Sequence, residues 1–374
     1  MKFIVSSTKL SSHLQSISRV ISNKSTLPIL DSFLFNLNGN ILTITASDLE
    51  TTLITSSEVD SAEGNGLVAI SAKILLDTLK EFPEQPLSFE INDDNLSIII
   101  RSETGSYNFI GQNGDEYPRM PEPSAEANNL SIPVETLSAG ISKAIFATAD
   151  DELRPVMNGI YFDITTEGIT MVATDAHKLV RFKTTAAKGD TAAAFILAKK
   201  PATLLKNILP KESGEVAVQF DDKNAFFTLS NYKMVCRQVE GRFPNYNAVI
   251  PQNNPHKLII DRVVFMNALR RVSLFSNQAS NLIKLQLNAS TMQVSAQDID
   301  FSISAEETIA CQYSGEAMNI GFKSTFLVDI LSNLDSGDVV MELADPSRAG
   351  LILPFENAEN EELLMLLMPM LLND

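Results

Sequence analysis

Three stretches of thirteen residues decide the fold: ILTITASDLETTL at 41–53, GITMVATDAHKLV at 168–180 and TMQVSAQDIDFSI at 291–303. They align without a gap, so that Asp48, Asp175 and Asp298 occupy one column. The alternation of apolar and polar residues in each stretch predicts half-buried strands. An aspartate repeated in all three copies indicates a turn or cap role that the fold repeats. The chain therefore contains three copies of one unit.

Two amphipathic helices accompany the strands in each copy. Apolar residues spaced three and four apart precede each stretch: Leu10, Leu14, Ile17 and Ile21, then Leu137, Ile141 and Ile145, then Val264, Ala268 and Val272. The predicted helices span 8–24, 72–81, 135–149, 199–211, 261–275 and 323–334. Joints rich in proline or asparagine at 117–129 and 251–255 separate the copies. The prediction is an α+β chain of three similar domains, 1–124, 125–253 and 254–374, each long enough to bury its own core.

Composition and motifs exclude several classes of protein. Cys236 and Cys311 lie 75 positions apart with no neighbouring zinc-ligand spacing, so neither zinc nor a disulfide framework is expected, and a reducing cytoplasm is favoured. The segment MKFIVSSTKL does not resemble a secretory signal, and no apolar run reaches 18 residues, so secretion and membrane spanning are not expected.

The distribution of charge points to a function. The net charge is −17, from 29 Lys and Arg against 46 Asp and Glu, which at face value argues against nucleic acid. The six predicted helices, however, contain 14 of the basic and five of the acidic residues, so they carry +9 while the remainder carries −26. This segregation predicts a helix layer that faces the phosphates of duplex DNA without reading sequence. The helices hold few aromatic residues on which single strands could stack, and the chain has no Trp, so duplex is favoured.

Two other interpretations of the residues compete with duplex binding. Lysine also favours solubility on exposed helix faces, so a repeat-built interaction scaffold that does not bind DNA is the alternative function. Asp175 and His177 share a strand face, but His13 and His256 lie in unrelated contexts, and no P-loop, GxGxxG, GxSxG or HExxH motif occurs. No catalytic residue, no metal site and no cofactor are therefore expected.

Taken together, the motifs of the chain resemble those of the bacterial DNA sliding clamps, the beta subunits of DNA polymerase III. The resemblance spans the chain and depends on MKF at the start, STLPIL at 25–30, TASDLE at 45–50, MNGI at 157–160, VATDAHKL at 172–179, EGRFPNY at 240–246, IGF at 320–322 and MPM at 368–370. It implies three clamp-fold domains, each with two helices packed on antiparallel sheets. It also implies a head-to-tail homodimer that forms a six-domain ring around double-stranded DNA. The implied partners are the replicative polymerase, the clamp loader, repair polymerases and mismatch-repair proteins, bound through short linear motifs.

The resemblance also implies the residues of three sites. For DNA binding, Lys24 and Lys73 match two positions of the family's DNA-contacting set, and Lys199, Lys200 and Arg271 fall on the matching inner helices. The residues that bind partner peptides are Arg154, Met157, Thr174, Ala176, His177, Lys178, Leu179, Pro244, Val249, Phe326, Leu366, Met368, Pro369 and Met370. The dimer residues are Tyr107 and Phe109 on a first-domain strand, with Leu274 and Phe275 at the end of a third-domain helix.

Three positions of the pocket depart from the family pattern. Ala176 stands where Gly is frequent, Ala248 where a basic residue is known, and Phe326 where Tyr is common. The last strand, within ELLMLLMPMLLND, is expected to be core on one face and pocket on the other. The final residues, Leu372 to Asp374, extend past the usual ending. Any ATP needed to open the ring would be hydrolysed by another protein.

Overall fold

Each thirteen-residue stretch folds into an antiparallel hairpin, as the alternation predicts. The computed structural model describes residues 1–22 and 27–372. The strands of the first copy are β1 Lys2–Ser6, β2 Ser32–Asn38, β3 Ile41–Ser47, β4 Thr51–Glu58, β5 Ser61–Glu63, β6 Gly66–Ser71, β7 Pro86–Ile91, β8 Ser97–Arg101, β9 Ser106–Ile110 and β10 Gln112–Asn113. Those of the middle copy are β11 Asn128–Pro133, β12 Gly159–Ile164, β13 Ile169–Thr174, β14 Lys178–Thr184, β15 Ala193–Ala198, β16 Glu215–Phe220, β17 Asn224–Thr228 and β18 Tyr232–Arg237. Those of the third copy are β19 His256–Asp261, β20 Leu282–Leu287, β21 Thr291–Asp298, β22 Ile303–Ala310, β23 Gln312–Ser314, β24 Met318–Lys323, β25 Asp338–Leu343, β26 Gly350–Pro354 and β27 Glu361–Leu367.

Six α-helices occur in the described residues, two in each copy, at the predicted places. They are α1 Ser7–Ser18, α2 Ala72–Lys80, α3 Val134–Ala144, α4 Lys199–Ile208, α5 Arg262–Ser273 and α6 Ser324–Ser332. The first helix ends earlier than the predicted residue 24. On α5 the predicted apolar face is wrong at Val264, which is 47% exposed, because Phe265 occupies the core beside Ala268.

Contacts between strands group the three copies into two compact units. The first unit comprises residues 1–135 and 203–238, and the second comprises residues 136–202 and the chain from 239 onward. In the first unit a nine-stranded sheet has the order β10-β6-β2-β3-β4-β18-β17-β16-β11, and a five-stranded sheet has the order β5-β1-β7-β8-β9. In the second unit the corresponding orders are β15-β12-β13-β14-β27-β26-β25-β19-β23 and β22-β21-β20-β24. Each large sheet therefore joins strands of consecutive copies, and the boundaries at 124 and 253 stay predictions.

Each unit is stabilised by buried apolar side chains between its sheets and helices. Phe3 and Phe89 stack in the first unit with ring centroids 4.7 Å apart, and both are fully buried. Phe162 and Phe195 stack at 4.6 Å in the second. Fully burying one such side chain contributes roughly 1.5–3 kcal/mol.

The third hairpin differs from the other two in the length of its turn. Thr174 pairs with Leu179 across four intervening residues, and Ser47 pairs with Thr52 likewise. Gln297, the residue before the third aspartate, pairs instead with Ser304, six residues intervening. The gapless alignment of the third copy is therefore correct up to Asp298 and wrong by two positions after it. The reason is that strand pairing, and not the residue pattern, sets the length of the turn.

Candidate functional site

The repeated aspartates hold the hairpin turns, as their shared column predicts. Oδ1 of Asp175 accepts hydrogen bonds from the backbone nitrogens of His177 and Lys178 at 2.9 and 2.8 Å. Asp48 and Asp298 accept the corresponding bonds in their own turns, at 2.7–3.1 and 3.0–3.4 Å. The turn role is confirmed, and it accounts for an aspartate in all three copies beside a histidine in only one.

The turn at residues 175–178 also neutralises a buried cation. Oδ2 of Asp175 accepts from Nζ of Lys178 at 2.6 Å, and the Lys178 side chain is only 7% exposed. Burial raises the pKa of the Asp175 carboxyl, but the hydrogen bonds from Lys178 and His177 outweigh burial, so the pKa lies below its usual value. Ala176 has a φ of +74°, a left-handed conformation that explains why glycine suits this position.

The C-terminal strand lies beside this turn. Residues 178–184 of β14 pair with 361–367 of β27, Leu179 lying opposite Leu366, and the backbone nitrogen of Met368 donates to the carbonyl oxygen of His177 at 2.9 Å. Residues 363–367 are all buried, so the expectation of one core face and one pocket face is wrong for this strand. The strand is central in its sheet and is packed on both faces, and exposure begins at Met368.

A single apolar cluster joins the segments that carry the predicted peptide-binding residues. Leu179 and Leu366 pack in it with Phe243, Tyr246 and Ile250 of the 243–250 segment. Val156, in the 3₁₀ turn Pro155–Met157, packs against the same cluster. The predicted residues that are exposed are Arg154, Ala176, His177, Pro244, Val249 and Met368. Those that are half-buried are Met157, Phe326, Pro369 and Met370, and those that are buried are Thr174, Lys178, Leu179 and Leu366.

The ring of Phe326 contacts several side chains around the predicted peptide-binding residues. Its ring centroid lies 5.9 Å from that of His177, and Nζ of Lys178 lies 4.2 Å from it. Nζ of Lys323 lies 4.8 Å from the same centroid, a contact that sequence reasoning missed. The sequence signal was available, since Lys323 immediately precedes the helix on which Phe326 lies. Burial raises the pKa of the nearby Asp329 carboxyl.

Arg154 lies on the exposed turn of the same surface. Its Nε donates to Oδ2 of Asp151 at 2.8 Å, and this hydrogen bond is the main reason that the pKa of Asp151 lies below its usual value. Leu153, beside it, is 92% exposed and was missed. An exposed leucine next to an oriented guanidinium suits contact with an amphipathic partner.

Two of the four predicted dimer residues lie on an open sheet edge, and the other two follow a helix. Tyr107 and Phe109 lie on β9, and in the described residues β9 pairs only with β8. Leu274 and Phe275 follow α5 in the second unit and are both exposed. In that unit β22 is an edge strand of the four-stranded sheet, and the preceding Ile299 and Phe301, which are more than 70% exposed, were missed. Long exposed edges with apolar side chains favour pairing with another chain.

The predicted DNA-binding residues are distributed over the helices. Lys24 lies outside the described residues, and Lys73 is exposed in the first turn of α2. Lys199 and Lys200 open α4, where Nζ of Lys199 lies 2.6 Å from Oδ2 of Asp150. Arg271 makes a two-bonded ion pair with Glu307 of β22, at 2.7 and 2.6 Å. With the helix bounds of the structure, the six helices of the described residues hold ten basic and three acidic residues, so the segregation of charge persists.

The described residues hold neither a cluster of metal ligands nor a helix able to span a membrane. Among residues 1–22 and 27–372, no three His, Cys, Asp or Glu side chains cluster as metal ligands would. No α-helix in that part of the chain is long and apolar enough to cross a membrane.

Comparison with known proteins identifies the family. Three family models match in order: the DNA polymerase III beta subunit N-terminal domain at residues 1–121, its central domain at 131–245 and its C-terminal domain at 247–371. The beta sliding clamp of Haemophilus influenzae is 28% identical over 373 residues, covering 99% of this chain and all of that protein.

Solved structures agree with the sequence matches. The sliding clamp (DNA polymerase III subunit beta) of Bartonella birtlesii, solved bound to griselimycin, is 27% identical, with a TM-score of 0.93 and full coverage of both chains. The clamp of Pseudomonas aeruginosa, also bound to griselimycin, shares the fold with a TM-score of 0.94 at 24% identity. With its three domains and the fold of known clamps, this chain belongs to the family of bacterial DNA sliding clamps, the beta subunits of DNA polymerase III.

Proposed function

We propose that two copies of this chain close head to tail into a ring that encircles duplex DNA and tethers the replicative polymerase. In this role the protein acts in the cytoplasm as a processivity factor without catalysis of its own. The observation that carries this proposal concerns the strand pairs that join consecutive copies. The pair β4–β18 and the pair β14–β27 have the same register. The two strands at the corresponding places, β9 and β22, are left at the edges of their sheets.

The register repeats at both junctions. In the first unit Met234 of β18 pairs with Leu53 of β4, and in the second Met365 of β27 pairs with Val180 of β14. Leu53 and Val180 each lie five residues after the repeated aspartate, and each pairs across its hairpin with the alanine two residues before that aspartate. The same geometry therefore recurs where one copy follows another.

The same register can be extended to the open strands β9 and β22. In each copy one can start at the residue four before the first helix and follow the paired residues from strand to strand across the sheet. In the middle and third copies this path ends at Met234 and Met365. In the first copy the same path runs from Phe3 to Tyr107. Ala305 occupies the place of Leu53 and Val180, because it pairs with Ala296. The repeat thus supports an antiparallel contact in which Tyr107 of one protomer lies opposite Ala305 of the other.

Cross-linking tests this register. If Tyr107 faces Ala305, Asn108 faces Ser304, so the double variant Asn108→Cys/Ser304→Cys should form a covalent dimer under mild oxidation. The variants carry Cys311→Ser, and Asn108→Cys/Ser302→Cys is the control, with its partner shifted by two residues. A cross-link only in the control, or monomer throughout in light scattering, would contradict the proposed contact.

The helices supply the positive surface that duplex DNA requires. Because basic groups that bind phosphate release counterions, binding should weaken steeply with salt and be independent of sequence. Reversing the charge at Lys24, Lys73, Lys199 and Lys200 together should abolish primer-dependent processivity while leaving the dimer intact. Unchanged processivity would favour the scaffold that does not bind DNA. Since the chain carries no nucleotide-binding motif, ring opening is assigned to a separate ATPase.

The surface around Phe326 is proposed to bind peptides from the polymerase, the clamp loader and repair proteins. Its exposed apolar side chains lie over a buried cluster, as in a site built for a short amphipathic segment. Val249→Asp should reduce binding of a polymerase-derived peptide at least tenfold, since burying an unpaired carboxylate is costly. Phe355→Asp, at a side chain of similar exposure outside the site, is the matched control. Deleting Met370 to Asp374 should likewise abolish binding without unfolding the chain.

A further inference from the structure

The first compact unit contains a surface built from the same four segments as the proposed peptide site. These segments, together called the first-unit surface, are residues 27–31, 47–52, 114–122 and 235–238. Their counterparts in the second unit are residues 154–158, 174–179, 240–248 and 366–369. The correspondence follows the register of the repeats, in which Met234 and Met365 occupy one place, and it sets Tyr117 beside Phe243.

The backbones of the two surfaces match at three points. The backbone nitrogen of Arg237 donates to the carbonyl oxygen of Glu50 at 2.8 Å, as that of Met368 donates to His177 at 2.9 Å. The residue after each turn aspartate has a left-handed φ, +77° in the first unit and +74° in the second. A 3₁₀ turn that begins with proline enters each surface. The first unit therefore repeats the backbone frame of the proposed peptide site.

Tyr117 holds three segments of the first-unit surface together. Its ring is 5% exposed and packs with Ile29 and Leu30 of the 3₁₀ turn. Its hydroxyl donates to the carbonyl oxygen of Ser32 at 3.4 Å. Burial raises the pKa of Tyr117 to about 12, and the nearby charge of Asp48 in the hairpin turn acts in the same direction. The 3₁₀ turn, the hairpin turn and the 114–122 segment thus meet at one buried ring.

Each of these three segments exposes a large apolar side chain close along the chain to the point where they meet. Leu27 is 42% exposed, Leu49 in the hairpin turn is 50% exposed, and Met120 is 38% exposed. An apolar anchor from a partner would remove this area from water, which is favourable. Exposed apolar side chains beside a buried ring provide such an anchor with a surface that is already formed.

The charge of the first-unit surface is opposite to that of its counterpart. It contains two basic residues and six acidic ones, whereas the counterpart in the second unit contains three basic residues and two acidic ones. Glu50 pairs with Arg237 at 3.5 Å. Four of the other carboxylates form no ion pair within residues 1–22 and 27–372: Asp31, Asp115, Glu116 and Glu122. Unbalanced negative charge around apolar side chains complements a cationic partner.

We propose that the first-unit surface is a second peptide-binding site, which takes partner segments that carry Lys or Arg on both sides of an apolar anchor. The anchor would cover Leu49 and Met120, while the cations face the surrounding carboxylates. The inference rests on the proposed peptide-binding function for its backbone frame, but its ligand class is opposite in charge. The two surfaces of one chain would therefore recruit different partners.

Two peptides of opposite charge test the proposal with the full-length chain. Fluorescein-labelled Lys-Leu-Arg-Phe-Lys and Glu-Leu-Gln-Phe-Glu are titrated with the protein, and fluorescence anisotropy gives each Kd. The basic peptide should bind at least tenfold more tightly than the acidic one. Leu49→Gly should weaken binding of the basic peptide about fivefold, because it removes the apolar side chain while glycine suits the left-handed φ. Ile41→Ser, at a 41% exposed side chain at the far end of β3, is the matched control and should not weaken it.

Variants of charge test the cationic part of the ligand. Asp115→Asn/Glu116→Gln should weaken binding of the basic peptide about threefold, since each exposed pair is worth a few tenths of a kcal/mol. Asp60→Asn/Glu63→Gln, which removes two exposed charges elsewhere in the first unit, should not weaken it. Deleting Met370 to Asp374, which acts on the proposed site of the second unit, should also leave binding of the basic peptide unchanged.

The possible results separate this inference from the function on which it rests. Equal weakening by the two double variants would show a general effect of net charge and would overturn the proposal. Loss of the basic peptide on deletion of Met370 to Asp374 would assign its binding to the second unit and would overturn it as well. Unchanged binding in Leu49→Gly, or no saturable binding, would have the same consequence. Binding of the polymerase-derived peptide reports separately on the second unit, so failure of one site is distinguishable from failure of the other.

Discussion

Asp175→Asn is expected to destabilise the second compact unit by about 3 kcal/mol. The amide oxygen of Asn can still accept the two backbone hydrogen bonds of the turn, but Lys178 loses the charge that its ammonium faces at 2.6 Å. Breaking a buried ion pair by removing one partner costs about 3–5 kcal/mol. The low end applies because the carboxyl of Asp175 keeps 17% exposure and Asp329 still interacts with Lys178.

Differential scanning calorimetry of the full chain measures this loss. For a unit of roughly 200 residues, 1 kcal/mol shifts Tm by about 2–4 °C, so the expected decrease is about 6–12 °C. The pKa of Asp175 is lower in the folded chain than its ordinary value of 3.8, so its contribution is complete well above pH 3.8 and is lost as pH falls through the folded pKa. The difference between the two proteins should therefore shrink below about pH 4.

The double variant Asp175→Asn/Lys178→Met is the control. It removes both charges and should recover most of the lost stability, because no unpaired ammonium remains buried. A loss below about 0.5 kcal/mol in the single variant, or a double variant no more stable than the single one, would refute the reasoning that Asp175 neutralises Lys178.

Three further predictions concern backbone and pH. Ala176→Gly should raise the free energy of unfolding by about 1 kcal/mol, because glycine tolerates the left-handed φ, whereas Ala186→Gly should lower it. Gly321→Ala should lower the free energy of unfolding by about 1–3 kcal/mol, because the new Cβ would lie 2.7 Å from the carbonyl oxygen of Met370. Gly337→Ala should not lower it, because the space around its Cβ is open. Burial lowers the pKa of His13 from 6.5, so the folded chain favours the neutral ring. The free energy of unfolding should therefore fall as pH drops through about 6.5, and the pH dependence of Tm should flatten in His13→Gln.

Much of the fold could be predicted from the sequence because its signals are local. Apolar spacing located all six helices, with α2 matching the prediction to within one residue. Hairpin turns held by aspartate follow from the short reach of the carboxylate to its own backbone, which any single copy displays. The exposed edge strand with Tyr107 and Phe109 was also located, through the resemblance to the clamp family.

The composition of the candidate site could be predicted only in part. Val249, His177, Phe326 and Met368 do lie at or near the surface, but Leu366 lies beneath it. The sequence does place Lys323 three positions before Phe326, but the contact between their side chains depends on how the end of β24 meets α6, which the sequence alone does not reveal. Arg271 was assigned to DNA from its helix position, whereas its ion pair with Glu307 depends on packing of α5 against β22.

The sequence by itself determined the threefold repeat, the order of elements, the turn aspartates and the concentration of positive charge on helices. The order of elements and the turn aspartates depend on residue spacing within a single helix or hairpin, where periodicity expresses backbone geometry directly. Only the tertiary structure decided that strands of one copy pair with the next, that the third turn is two residues longer, and that β27 is buried on both faces. Pairing between distant strands is fixed by the packing of whole sheets, so no local pattern of residues could specify it.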